Sequence, residues 1–303
     1  MSHRIFYILI PLVFLFSTNQ IDADAYLADV DIHYGADSYK VNYEKEIITA
    51  IGNAYFKKQD KLLLARKIVI FYSEQVSRAE CFGDVILKDS GNNSVIKGNY
   101  GLVKYNQKLY YLSGNVRFNK RNTEILSDRV YYYSDQKRYL FDGEVKYSNI
   151  EYTITSDKLE IKNDLANFIG KVVLRSNDKT TALFSNYMEY NLKNNDSFFK
   201  GDVVYQSNQS NNSFIVTADA VKYRKSLASY YLMNNVFVIT NKYRVNADYM
   251  VYNSNRDYLE AVGDVIVKGN SFSIKADIYT INNINKEINF LRDINGLYKI
   301  ESR

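Results

Sequence analysis

A chain of 303 residues with 46% hydrophobic content is long enough to bury a large core. The formal net charge is +5, and Lys and Arg are dispersed without the concentrated basic stripe of a nucleic-acid-binding protein, so no nucleic-acid partner is expected. One cysteine and two histidines exclude an intramolecular disulfide and a histidine pair for metal binding or acid–base catalysis.

The N-terminus has the layout of an export signal. Arg4 precedes the apolar run from Ile5 to Phe16, and the small-x-small sequence Ala23-Asp24-Ala25 follows. This order predicts a secretory signal peptide over residues 1–25 and a single mature domain over residues 26–303. The domain is expected outside the cytoplasm, and an uncleaved signal that anchors it to the inner membrane is the alternative.

Beyond the signal, a Gly-polar-apolar motif recurs at intervals of 27 to 33 residues. Asn234 stands in the one place where glycine is missing, and Asn is the residue that best replaces glycine where the backbone is left-handed. The motif begins at Gly52, Gly83, Gly114, Gly143, Gly170, Gly201, Asn234 and Gly263. Such spacing indicates about eight repeats of roughly 30 residues.

A second motif, small-Asp-x-apolar-x-Tyr/Ile, alternates with the first. Clear copies begin at Ser127, Ser156, Ala218, Ala247 and Ala276; Ala65-Arg66 and Ser185-Asn186 are variants, the copy around Tyr100-Gly101 is degenerate, and Ala36-Asp37 opens a leading half-unit. The pairing of the two motifs predicts two secondary-structure elements in each repeat.

Apolar residues alternate with polar ones around both motifs, which is typical of strands with one buried face. At the second motif the alternation slips by one residue, as from Ser127 to Val130. A slip of one residue reverses the two faces of a strand unless a bulge or corner absorbs it. We therefore predict an all-β fold of about 16 bent antiparallel strands around one elongated apolar interior. A parallel β-solenoid is the alternative fold.

The two motifs resemble those of the OstA-like family of lipopolysaccharide-transport proteins, which includes LptA, LptC and the N-terminal domain of LptD. The strings that carry the resemblance are Glu260 to Val265 and Ala247 to Tyr252, and their repeats cover residues 30 to 292. The resemblance implies an open β-jelly roll in the periplasm that shields the acyl chains of lipopolysaccharide or another glycolipid. It also implies inner- and outer-membrane transport components as partners. The chain carries more repeats than a typical LptA.

An open jelly roll would bring the inward residues four positions after each glycine to one level of a lipid groove. The candidates for this groove are Phe56, Leu87, Phe118, Tyr147, Leu174, Tyr205 and Val238. If the interior is closed instead, these side chains are ordinary core, and the protein is a structural or adhesive repeat protein of the envelope.

The sequence offers no candidate for catalysis, for a metal or for a cofactor. Cys81 lies at an inward position two residues before Gly83, which favours a small buried hydrophobic side chain. The recurring Asp residues of the motifs could form a calcium ladder, but hydrogen bonds to local backbone N–H groups at the corners are the preferred interpretation. We therefore expect a protein that is not an enzyme.

An open stack of strands leaves two edges with unpaired backbone groups. These edges are expected near Ala36 to Tyr43 and near Lys286 to Asp293. Both invite strand addition, either by transport components or by another copy of the chain in a head-to-tail arrangement.

Overall fold

The computed structural model describes residues 32–58, 60–72, 78–209 and 212–298. These residues form twenty β-strands and one short 3-10 turn at Lys225–Leu227. The described part of the chain holds no helix with the length and hydrophobicity to cross a membrane. The predicted signal peptide lies outside the described residues.

The strands are β1 Ile32–Gly35, β2 Ser38–Asn42, β3 Ile47–Lys58, β4 Lys61–Phe71, β5 Arg78–Asp89, β6 Ser94–Lys104, β7 Leu109–Lys120, β8 Thr123–Tyr133, β9 Arg138–Ser148, β10 Tyr152–Lys162, β11 Leu165–Ser176, β12 Thr181–Asn191, β13 Ser197–Gln209, β14 Asn212–Arg224, β15 Ser229–Thr240, β16 Tyr243–Asn253, β17 Tyr258–Gly269, β18 Phe272–Asn282, β19 Glu287–Leu291 and β20 Asn295–Tyr298.

Strands that follow one another in the chain pair antiparallel from β3 to β18, so the fold is a long meander. At one end β1 and β2 both pair with β3, and at the other end β19 and β20 both pair with β18. Each of these pairs is one bent strand with an interruption. The sixteen bent strands predicted from the repeats are β3 to β18. Antiparallel pairing throughout rules out the parallel solenoid.

A β-bulge at each glycine motif explains the slip in the apolar pattern. Between β7 and β8, Ser113 lies opposite Arg129 and Val116 opposite Ser127, so three steps on one strand match two on the other. Gly114 and Asn115 are the two residues that face a single partner residue, and both have left-handed φ values. Two residues facing one is the defining count of a β-bulge, and it sharpens the local twist. The sequence left a bulge or a corner at the second motif as alternatives; the register shows a bulge, with its extra residue in the glycine strand.

The bends divide the stack into two facing layers of one open β-jelly roll. Layer 1 contains the segments after the glycine in odd-numbered strands and before the small residue in even-numbered ones, such as 116–120 and 123–127. Layer 2 contains the remaining segments, such as 109–113 and 129–133. Phe118 of layer 1 lies 5.5 Å from Phe141 of layer 2, measured between ring centroids, although their strands are not neighbours. The interior lies between the layers.

The small residue of the second motif lies buried at the bend, where a larger side chain would meet the facing layer. Where it is serine, its hydroxyl donates a hydrogen bond to the carbonyl oxygen two residues further on. The distances are 3.0 Å from Ser127 to Arg129, 2.9 Å from Ser156 to Lys158 and 3.1 Å from Ser185 to Tyr187. The bond gives the buried hydroxyl a partner within its own strand, which explains why serine and alanine share this position.

The register corrects two assignments. Val85 lies opposite Gly98, so the degenerate copy of the second motif is Gly98-Asn99 and not Tyr100-Gly101. A further glycine-type position, which the sequence reading missed, lies at Arg292-Asp293, where both residues have positive φ. There Asp277 N donates to Arg292 O at 3.3 Å, as Asp37 N donates to Gly52 O at 2.9 Å at the opposite end.

Candidate functional site

The seven predicted groove residues lie in a single row of the sheet. Each of the seven pairs with a residue of the following even-numbered strand, and that residue pairs with the next of the seven. For example, Tyr205 pairs with Val216, and Val216 pairs with Val238. The complete row, which we call the outer row of layer 1, contains Phe56, Leu63, Leu87, Ile96, Phe118, Ile125, Tyr147, Ile154, Leu174, Leu183, Tyr205, Val216, Val238, Val245, Val267 and Ile274. All seven pack within the hydrophobic interior.

Burial differs along this row. Leu87, Phe118 and Tyr147 are buried, whereas Phe56, Leu174, Tyr205 and Val238 are half-buried. The sequence placed all seven at one level but could not separate them by exposure. The difference depends on which side chains the facing layer supplies.

Aromatic contacts between the layers close the interior from β7 to β10. The Phe118 ring lies 5.3 Å from the Tyr139 ring, and the Tyr147 ring lies 5.6 Å from the Phe168 ring in an edge-to-face arrangement. Edge-to-face pairs at such distances add to the stability that burial alone gives. This central section is a packed core.

A polar contact joins the layers beside this core. Tyr132 Oη donates a hydrogen bond to Asp89 Oδ2 at 3.3 Å, and Lys61 Nζ lies 3.7 Å from the same oxygen. Burial raises the pKa of Asp89, but hydrogen bonds from Asn92 and the Lys61 charge outweigh it and hold the pKa below its ordinary value. The carboxylate therefore stays ionised and ties β5 to β8 across the interior.

The interior is more open around β14 and β15. Val221 of β14 and Leu232 of β15 keep 6% and 8% of their surface exposed, although they lie deep in layer 2. Phe141 and Leu159, which occupy the same row in the central section, are 0% exposed. Solvent therefore reaches deeper between the layers at β14 and β15 than at β9 and β10.

Tyrosines line the rim of this more open section on layer 2. The Tyr223 and Tyr230 rings lie 4.6 Å apart, and the Tyr252 ring lies 6.3 Å from that of Tyr230. Partial burial and the neighbouring phenols of Tyr223 and Tyr205 raise the pKa of Tyr230 to about 12. Neutral phenols offer an apolar ring and a hydrogen-bonding hydroxyl together. The apolar pattern of the sequence already put Tyr223 and Tyr252, the last residues of their motifs, at inward positions, but it did not identify them as groove residues.

On the outside of the bends, the polar residue of the second motif packs over the next glycine. Its hydrogen bonds go to the residue after that glycine, as in Asn53 Nδ2 to Asp37 Oδ2 at 3.1 Å and Asn235 Nδ2 to Asp219 Oδ2 at 3.0 Å. These are side-chain bonds between neighbouring strands and not the local backbone bonds that the sequence suggested. In the described residues no group of three or more His, Cys, Asp or Glu side chains could hold a metal ion.

Cys81 is fully buried in the hydrophobic interior. Burial raises the pKa of its thiol to about 12, so the thiolate needed for nucleophilic chemistry is not formed at neutral pH. The sequence-based interpretation of Cys81 as a core residue is confirmed.

Both ends of the stack present a strand that is paired on one side only within the described residues. The edges extend beyond the predicted bounds, from Ile32 at one end and as far as Tyr298 at the other. The C-terminal edge is notably apolar: Ile288 is 59% exposed, and Leu291 and Ile294 are also exposed.

Two family models match separate parts of the sequence. Residues 34–138 match the family model described as LptA/(LptD N-terminal domain) LPS transport protein, and residues 165–299 match the model described as lipopolysaccharide-assembly, LptC-related. A crystal structure of LptH, the LptA homologous periplasmic component of the lipopolysaccharide transport device from Pseudomonas aeruginosa, aligns with 46% of this chain and 82% of its own, at 11% identity and a TM-score of 0.25. That likeness is too weak to support an inference. No curated protein matches the sequence.

Proposed function

Because the chain belongs to the OstA-like family of lipopolysaccharide-transport proteins, we propose that it is a non-catalytic carrier of lipopolysaccharide or another glycolipid. In this proposal the interior shields the acyl chains while the lipid moves towards the outer membrane. The observation that carries it is the row of inward residues, nearly all apolar, that runs from β3 to β18 and is half-buried at several members, Tyr205 and Val238 among them.

Elementary energetics are favourable for such cargo. Each methylene that leaves water contributes about 0.8 kcal/mol, so a twelve-carbon chain would gain roughly 9 kcal/mol before ordering costs. No covalent step is needed, which is consistent with the expectation that the protein is not an enzyme and uses no cofactor. The periplasm is the proposed location, and residues 1–25 are the proposed export signal.

The proposal is tested by the lipid that accompanies the purified protein. We expect mass spectrometry of protein isolated from the native envelope to find acylated glycolipid in a fixed ratio to the chain. An exported β-sandwich protein of similar size, purified in the same way, gives the background. Protein that carries no more lipid than this control would contradict the carrier function.

The packed section from β7 to β10 favours a second candidate, a structural or adhesive repeat protein of the envelope. Phe118, Tyr139 and Phe168 fill the interior there as they would in a closed core. The same lipid measurement separates the two candidates, because a closed core carries no lipid.

Partners are proposed to dock on the edge strands. Unpaired N–H and C=O groups at an edge accept a further strand, and the exposed isoleucine at 288 adds apolar surface. The inner- and outer-membrane transport components are the proposed partners in the cell. In their absence, the two unlike edges allow head-to-tail growth, which is heterologous and does not close.

We expect Ile288→Lys to weaken self-association, since a charged residue on an edge strand opposes strand addition. Light scattering across a dilution series should show concentration-dependent growth for the unchanged chain and about tenfold weaker association for the variant, a loss near 1.4 kcal/mol. Ile150→Lys is the matched control, because Ile150 is 75% exposed but lies in the turn between β9 and β10. A strict monomer at every concentration, with no partner cross-linked to either edge in cells, would refute edge docking.

A further inference from the structure

The size of the inward side chains changes along the stack. In the row that contains Phe141 and Phe168, the corresponding residues of β14 and β15 are Val221 and Leu232. In the outer row of layer 1, valines at 216 and 238 occupy positions where the central section has larger side chains such as Phe118 and Tyr147. At β14 and β15 both layers therefore carry smaller side chains than at β9 to β11.

Exposure within layer 2 also rises towards β15. In layer 2, the exposed fraction rises from 0% at Phe168 to 4% at Phe199, 6% at Val221 and 8% at Leu232, and then returns to 1% at Met250. The maximum lies four strands away from the C-terminal edge and is therefore not an effect of the end of the stack. The interior has a local opening centred on β15.

The rim of this opening is accessible on both sides. On layer 1, Tyr205, Val216 and Val238 are all half-buried, whereas their neighbour Val245 is buried. On layer 2, Tyr230 is 37% exposed and Tyr252 is half-buried. The opening therefore has an apolar floor and a rim with phenol hydroxyls, which suits an acyl chain that continues into a polar headgroup.

We infer that acyl chains bind between the layers at β13–β16 and that the central section from β7 to β10, where the outer row of layer 1 is buried, is a permanently closed core. The inference rests on the proposed carrier function and specifies where that function is carried out. Four strands at the usual spacing give a site about 14 Å long, so the chain holds lipid in one short segment and not along its whole length.

Site-specific photo-cross-linking tests this assignment in the full-length protein. A photoreactive phenylalanine analogue would replace Val216 or Val238 in the proposed site, and Phe118 or Phe141 in the central core. Purified lipopolysaccharide and radiolabelled palmitate are the probes. We expect about tenfold more cross-linked lipid at 216 and 238 than at 118 and 141. Similar yields at all four positions would overturn the confinement to β13–β16 but leave the carrier function standing. No cross-link at any position would contradict the carrier function itself.

A groove-filling variant provides a second measurement. Val216→Phe combined with Val238→Phe should reduce bound palmitate about tenfold while the circular dichroism spectrum stays that of the unchanged chain. Val204→Phe adds a ring on the outer face of the same section, because Val204 lies between the inward residues Val203 and Tyr205, and it should leave binding unchanged. Full binding by the folded double variant would refute the site.

Discussion

Val265→Asp is expected to destabilise the protein by about 3–5 kcal/mol, the cost of leaving a charge buried without a partner. Val265 is fully buried and lies opposite Ala276 at a bend, where no cationic side chain is paired with it. Thermal unfolding followed by far-ultraviolet circular dichroism measures the effect.

Asp264→Asn is the matched control one residue earlier. Asp264 is exposed, and its ion pair with Lys275 at 3.1 Å is of the surface type that contributes about 0–1 kcal/mol. Asn also tolerates the left-handed backbone at this position, where φ is 42°. The control should therefore unfold close to the temperature of the unchanged chain. Equal shifts for the two variants would contradict the assignment of inward and outward faces.

Gly143→Val is expected to cost about 3 kcal/mol or more, the upper end of the range for a strained backbone residue. The φ of Gly143 is 81°, a value that β-branched residues avoid. A Cβ atom at this position would also overlap the Asp128 carboxylate and lie 2.8 Å from Asp128 Cβ. Relief would require the backbone of β8 to move, and urea denaturation measures the resulting loss.

Glu144→Asn is the control for this change, because Asn already occupies the equivalent left-handed position at Asn53 and Asn115. It should be neutral or slightly stabilising. Combining Gly143→Val with Asp128→Gly removes the clash but keeps the φ strain, so the double variant should recover only part of the loss. A stability of Gly143→Val equal to that of the unchanged chain would show that the bulge does not need glycine.

Much of the fold was predictable because the same motifs and the same apolar pattern recur in every repeat. The step from Ser127 to Val130 predicted a bulge or a corner in each strand pair, and the register shows a bulge whose extra residue lies in the glycine strand. Two positions escaped prediction for different reasons. Gly101 resembled a motif residue more closely than Gly98 did, and only pairing with Val85 identifies the latter. Arg292 has no side-chain likeness to glycine, although its spacing of 29 residues from Gly263 was a usable signal.

The candidate site was less predictable. Periodicity identifies inward residues such as Phe118 and Val238, and the structure places both in the interior. Whether such a residue is accessible depends on the sizes of side chains from the facing layer, as when Tyr139 covers Phe118. Those partners come from strands that are not neighbours in the sheet, and no spacing in the sequence reveals which of them meet.

The nearest-neighbour meander has a consequence for how the chain acquires its structure. The ring contact between Phe56 and Tyr105 joins layers across only 49 residues, and each strand pairs with the one made just before it. Contacts between residues that are close in sequence have a lower entropic cost of loop closure. This cost is what normally slows the folding of all-β proteins. Each hairpin can therefore join the growing end as it emerges, without waiting for the C-terminus. A protein that crosses a membrane unfolded and N-terminus first could begin to fold on the far side before its translocation ends.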